Sequence, residues 1–210
     1  VKPGEPESYR TLAREGSSEF TENKSRFIGC AAPALEEREA LGFVESVRAR
    51  HPDASAVLYA YICGYTGNIQ RYHDSHEPSG GLLMLEALKR QEIAGAVVAV
   101  ARWFGGIKLG AGPLGRAFGR AAAEAAADAQ PCTVEKTHIY AVSFSYAQSG
   151  GLERWFAQSP YHLRELRYGE SVTAEADVKA SQDKAFLQAM ADLTAGRASP
   201  EKLSEYYREW

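Results

Sequence analysis

Hydrophobic and polar positions along this 210-residue chain fall into blocks that predict alternating strands and helices. Residues 96–101 form an unbroken apolar run, and residues 56–63 are nearly as apolar and rich in Tyr, Val and Ile, so both predict buried strands. Residues 24–32, with Phe27 and Ile28 at the centre, and residues 9–13 predict two more strands. Residues 19–23 are polar and read as a turn. Between residues 35 and 50 the pattern changes. Leu41, Val44 and Val47 recur at three-residue steps against Glu36, Glu37, Arg38, Glu39 and Arg48, which predicts an amphipathic helix ended by His51-Pro52-Asp53. Gly64 and Gly67-Asn68 mark a turn, so residues 69–72 pair back as a hairpin. A polar loop over 73–81 precedes a short helix over 82–91. A further helix starts at Pro113 and runs to about Asp128, with Leu114, Phe118, Ala121 and Ala125 on its apolar stripe. Residues 1–8 contain two prolines and a glycine and read as a loose arm.

After Gln130-Pro131-Cys132 the rhythm changes. Strands over 137–146, 162–168, 171–178 and 203–207 alternate with helices over 149–158 and 181–193. The order β-α-β-β-α-β is the split βαβ, ferredoxin-like plan. The boundary between two cores is therefore placed at Thr133–Val134.

The stretch 99–122 stands apart. Behind the strand at 96–101, Gly105, Gly106, Gly110 and Gly112 fall within eight residues, and Pro113 opens the helix. Strand, glycine-rich turn and helix together aim backbone N–H groups at an anion. Gly110-Ala-Gly112-Pro-Leu-Gly115 spells G-x-G-x-x-G, but no strand immediately precedes it and no acidic residue follows about twenty positions on in a strand, so it is not a dinucleotide fingerprint. The competing structural reading is a tight crossover with solvated cations.

Charge sharpens the picture. The net charge is -3, which by itself does not advertise a nucleic-acid partner. Yet no Asp or Glu occurs between Glu92 and Glu124, while Arg102, Lys108, Arg116 and Arg120 do. Any nucleic-acid site is thus a local, salt-sensitive patch. Arg116 and Arg120 also sit near the electropositive end of their helix, where the dipole disfavours them slightly, and such local inconsistencies cluster at functional sites.

Other chemistry is weaker. Cys30, Cys63 and Cys132 are odd in number and far apart, so they predict packed reduced thiols rather than disulfides or a zinc cluster. With no signal-peptide pattern and no apolar run near 18 residues, the expected setting is cytoplasmic, without a membrane. His73, Asp74, His76 and Glu77 lie within five residues, but a third metal ligand has to come from His51, His138 or His162, so no metal is expected. Ser79 is not in a G-x-S-x-G elbow, and Cys63 has no partner histidine nearby in sequence. Tyr61, Tyr65, Tyr72, Trp103 and Phe104 are candidates for stacking on bases, with Trp103 the best placed, against the alternative that they are core or interface residues.

Residues 102–118, Arg-Trp-Phe-Gly-Gly-Ile-Lys-Leu-Gly-Ala-Gly-Pro-Leu-Gly-Arg-Ala-Phe, strongly resemble the signature of the YigZ/IMPACT family. Asp74-Ser-His-Glu-Pro-Ser-Gly80 resembles its second signature, Asp-Asp-Gly-Glu-Pro-Ser-Gly. The tail from about Val134 resembles the small second domain of the bacterial members, so the resemblance spans nearly the whole chain. The chain departs from the pattern after Gly80, where it goes directly to Gly81-Leu-Leu-Met and is two residues shorter, and at Ala56-Val57, where the family commonly has a histidine.

The resemblance implies an α+β protein of two domains. Residues 1–133 are expected to form a translation-factor-like α/β sandwich of the ribosomal-protein domain-2 kind, a sheet carrying two helices. Residues 134–210 are expected to be ferredoxin-like, resembling an elongation-factor domain. Bacterial members are associated with nucleic acid or the ribosome, and eukaryotic members regulate translation through the starvation-sensing kinase pathway. The expectation is a non-catalytic, cytoplasmic regulator of translation without cofactor or metal, binding RNA or the ribosome. Arg102, Lys108, Arg116 and Arg120 would hold phosphates, Gly105, Gly106, Gly110 and Gly112 would shape the cradle, and Trp103 would stack. Asp74, Glu77, Pro78, Ser79 and Gly80 form the second motif. Two alternatives stand beside it: a small-molecule phosphate enzyme using Asp74 and Glu77, and a regulator that captures a protein partner in translation control.

Overall fold

A computed structural model of the chain describes residues 5–77 and 79–210; Val1 to Gly4 of the expected arm and Pro78 of the second motif lie outside the described residues. The chain divides into two compact units, Val1–Thr133 and Val134–Trp210.

The first unit opens with β1 (Ser8–Leu12), β2 (Gly16–Glu22) and β3 (Ser25–Pro33). α1 (Glu37–Arg50), β4 (Ala56–Cys63), β5 (Ile69–His73), α2 (Gly80–Arg90), β6 (Ala96–Trp103) and α3 (Ala111–Asp128) follow. Its main sheet has the order β2-β3-β6-β4-β5, and every neighbouring pair is antiparallel. β6 is central and buried along its length to Arg102, because both faces are covered. Alternation divides its side chains. Val97 and Ala99 meet Ala40, Val44 and Val47 of α1, whereas Ala96, Val98 and Val100 join the core under α2 and α3. The resemblance implied a sheet carrying two helices, whereas the periodicity predicted three. The structure has these three, two on one face and α1 on the other.

α1 begins where local chemistry allows. The Leu35 and Glu36 N–H groups donate to Glu39 Oε2 at 2.8 and 3.1 Å, Glu37 and Glu39 lie in its first turn, and Arg48 and Arg50 lie in its last. The predicted turn over 19–23 is instead most of β2. The reversal occurs at Asn23 and Lys24, whose φ of 45° and 64° makes a two-residue hairpin turn of the primed kind. β2 is an edge strand and carries polar side chains on its open positions, which hid it in the sequence. The buried thiols follow from the layering as well. Burial pushes Cys63 up to about 11, with Glu37 and Glu39 adding to it, and raises Cys30, so neither is a thiolate at neutral pH.

β7 (Pro131–Phe144) starts in the first unit and runs through the second, followed by α4 (Tyr146–Gln158), β8 (His162–Tyr168) and β9 (Val172–Lys179). A 3₁₀ turn (Ala180–Gln182), α5 (Asp183–Thr194) and β10 (Glu201–Arg208) complete the chain. The order β10-β7-β9-β8, antiparallel throughout, is the ferredoxin-like arrangement. Tyr140, Val142, Phe144, Phe156, Phe186 and Met190 fill its core. Asp177, buried on β9, ties both edges of this sheet: it accepts from Arg164 at 3.1 Å and from Arg208 at 2.6 Å.

Glu205 on β10 is a second anchor, 3.0 Å from Lys136 and 2.8 Å from Lys202. Hydrogen bonds from these lysines lower its carboxyl to about 2. A lowered pKa adds stability that is present above the usual carboxylate value of 4.5 and is lost as pH falls toward 2. Glu205→Gln is therefore expected to lower the melting temperature of the second unit at pH 7, and wild type and variant should converge by about pH 2. A variant that melts with wild type at pH 7 rules out a stabilising role for this cluster.

Candidate nucleic-acid interface

The two motifs meet at the end of β6. Arg102, the strand's last fully buried residue, forms an ion pair through its Nη1 with Glu77 Oε1. Its Nη2 donates to Ser25 Oγ at 3.3 Å, and its guanidinium carbon lies 5.8 Å from the Phe27 ring centre and 5.5 Å from that of Phe104. The side chain is only 5% exposed, so Arg102 faces inward and is not free to hold a phosphate as expected. It is instead the bolt between the second motif and the glycine loop. Pairing satisfies both charges where water is scarce.

Asp74, Ser79 and Gly80 of the second motif are structural too. Asp74 Oδ1 accepts the Gly81 N–H at 2.6 Å, which satisfies one of the open donors at the start of α2. Ser79 precedes α2 with a left-handed φ of 69°, and a Cβ on Gly80 would fall 2.4 Å from the Leu58 side chain. Both carboxylates that the enzyme alternative needs are thus engaged. His73 stacks on Tyr59 at 5.3 Å, away from any metal-like arrangement; among the described residues no group of three His, Cys, Asp or Glu side chains is placed to hold a metal.

The glycines divide by role. A Cβ on Gly105 would lie 1.9 Å from the Lys24 carbonyl oxygen, so this loop can cross the β2–β3 turn only as glycine. Gly106 needs its freedom for another reason: its φ is +85° with open space around it. Gly105→Ala is expected to cost about 3 kcal/mol, the upper end for overpacking because the clash is with backbone, and Gly106→Ala roughly 1 kcal/mol from strain alone. Equal melting temperatures for the two variants would contradict this division. α3 starts at Ala111 rather than at Pro113, with Gly110 as its N-cap. No side chain caps it. Pro113 then sits at the third helical position, where its missing N–H costs no intrahelical bond.

Helical spacing puts the cations on one face. Leu83, Ala87 and Arg90 of α2 and Arg116, Arg120 and Ala123 of α3 each follow i, i+4, i+7 steps, and together with Gly119 and Gln91 they line a groove of about 470 Å³. A Cβ on Gly115 would lie 2.8 Å from Leu83, so its absence lets the two helices approach. No acidic side chain lines this groove. Arg116 and Arg90 form no ion pair among the described residues, and neither does Lys108 on the glycine loop. Arg120 is partly engaged: its Nε donates to Glu124 at 2.8 Å and its guanidinium carbon stacks 4.2 Å from the Phe20 ring centre. Arg90 escaped the sequence reading because it lies outside both motifs; its step from Leu83 and Ala87 was the available signal.

The aromatic candidates also separate. Tyr61 is buried and donates to Glu37 at 2.7 Å, and Tyr65 packs edge-on against Tyr9. Trp103 has Arg26 5.0 Å from its ring centre and His51 edge-on at 5.4 Å, so it is held rather than presented. Phe104 is 48% exposed and Tyr72 46%. Phe104 stands in the glycine loop itself.

Comparison with known proteins agrees with this architecture. Residues 23–126 match the Impact N-terminal domain, and residues 142–197 match a domain of unknown function (DUF1949). The chain is 35% identical to IMPACT family member YvyE of Bacillus subtilis (strain 168), across 91% of this chain and 89% of that one. It is 32% identical to IMPACT family member YigZ of Escherichia coli (strain K12), across 82% and 87%. A crystal structure described as that of a hypothetical protein superposes with a TM-score of 0.62 at 27% identity, covering 95% of this chain and 98% of that one. The fold is thus that of a two-domain α+β protein. The chain belongs to the IMPACT family.

Proposed function

We propose that this protein is a non-catalytic factor associated with translation that binds RNA, free or in the ribosome, through the glycine loop and the α2–α3 face. The observation that carries the reading is the acid-free groove with Arg90, Arg116 and Arg120 on its walls, in a chain whose net charge is -3. Lys108 extends the cationic surface along the loop. Arg90, Arg116 and Lys108, which form no ion pair among the described residues, suit phosphate oxygens, and the uncapped start of α3 adds backbone donors. The interaction is positional rather than chemical, since Asp74 and Glu77 are held in structural contacts. No helix among the described residues is long and apolar enough to cross a membrane. A cytoplasmic setting belongs to this reading.

Crosslinking in cell extract tests it. The expected product is protein joined to RNA, sensitive to ribonuclease and diminished by salt. Recovery of a single protein species, insensitive to both, would favour the partner-capturing regulator instead.

A further inference from the structure

A second depression lies between the second motif and the glycine loop. Glu77, Arg102, Phe104, Lys108, Leu109 and Leu114 enclose about 300 Å³. Two features make it more than a surface dimple. Phe104 is 48% exposed although Arg102 packs over its ring at 5.5 Å, so an aromatic surface is backed by a cation and remains open. Lys108 forms no ion pair among the described residues. The walls therefore offer a cation and a supported ring, while the Glu77 carboxylate occupies the opposite side and keeps anions toward Lys108. Leu109 and Leu114 supply apolar wall.

We propose that this depression is a subsite for one unpaired nucleoside phosphate unit, its base against Phe104 and its phosphate on Lys108. The proposal rests on the nucleic-acid reading above and adds to it a preference for single-stranded over duplex RNA. A base inside a duplex is stacked on both faces and cannot reach the ring, whereas an unpaired base can, and aromatic stacking tolerates every base identity.

The test uses the full chain with short single-stranded and duplex RNA oligomers, and with AMP and UMP as competitors. Wild type is expected to bind the single strand more tightly. Phe104→Ala should weaken single-strand binding by about 5- to 10-fold, as loss of one stacked base predicts, while duplex binding is unchanged. Phe104→Trp should restore the preference. Phe104 is half exposed, so a wild-type melting temperature is expected for both variants. Competition by AMP or UMP would extend the ligand to free nucleotides; its absence, with the single-strand preference intact, would assign the site to an RNA strand. If Phe104→Ala binds the single strand as wild type does, while charge reversal at Lys108 and Arg116 abolishes binding, the subsite is wrong and the basic face stands. If wild type binds neither RNA form, both readings fall together.

Discussion

Arg102→Met is expected to destabilise the first unit by about 3 kcal/mol, which lowers its melting temperature by roughly 6–12 °C. The cause is the uncompensated Glu77 carboxylate. Removing one partner of a buried pair leaves the other charge without its counter-ion, which typically costs about 3–5 kcal/mol. Glu77 is 18% exposed, so water reaches it and the low end of that range applies. Methionine also gives up the hydrogen bond to Ser25 and the guanidinium contacts with Phe27 and Phe104. The partner variant separates these contributions. Glu77→Gln with Arg102→Met should be less unstable than the two single losses added together, because the double variant buries no unpaired charge. Calorimetry of wild type, both single variants and the double variant closes the cycle. An Arg102→Met protein that melts within about 2 °C of wild type contradicts the role given to the pair.

Lys108→Glu combined with Arg116→Glu is expected to reduce RNA affinity by more than tenfold without unfolding the protein. Both positions are free of ion pairs among the described residues, so neither reversal breaks a stabilising contact. Exposed changes of this kind usually move stability by less than about 0.5 kcal/mol each. Binding suffers twice at each position, since a cation is lost and an anion is set against phosphate. Arg120 makes a useful contrast. It is tethered to Glu124 and stacked on Phe20, so Arg120→Glu should disturb local packing and weaken binding less cleanly. Affinity and melting temperature measured side by side check the expectation. A double variant that unfolds would show that the two cations are structural.

Much of the fold was legible because its strongest signals are periodic. The apolar run at 96–101 became the central strand, since full burial on both faces leaves no polar alternation to confuse it. The βαββαβ order of the second unit could be read from alternating rhythms alone. β2 could not, because an edge strand with Ser17, Glu19 and Thr21 exposed looks like a polar turn. All three helices of the first unit were predicted, but not their division between the two faces of the sheet. Periodicity places a helix in the chain but does not say which face of a sheet it covers. The site was partly legible: the acid-free stretch pointed to Lys108 and Arg116. Charge alone could not distinguish them from Arg102. A cation one residue from a buried strand's end has a comparable chance of turning inward, and its partner Glu77 lies 25 positions away. Sequence adjacency likewise favoured Trp103, and packing by Arg26 and His51 moved the exposed ring to Phe104.

The account's central claim is that the acid-free face binds RNA phosphates, and the dependence of affinity on salt tests it most directly. Single-stranded RNA binding is measured at several salt concentrations for wild type and for the Lys108→Glu, Arg116→Glu protein. Each phosphate contact contributes about 0.7–0.9 to the slope of log affinity against log salt. The predicted result is a clear negative slope for wild type, shallower by about 1.4 in the variant because two single-strand contacts of about 0.7 each are lost, with affinity lowest where salt is highest. Equal affinities and equal slopes for the two proteins would contradict the claim, as would a wild-type protein that binds no RNA at low salt.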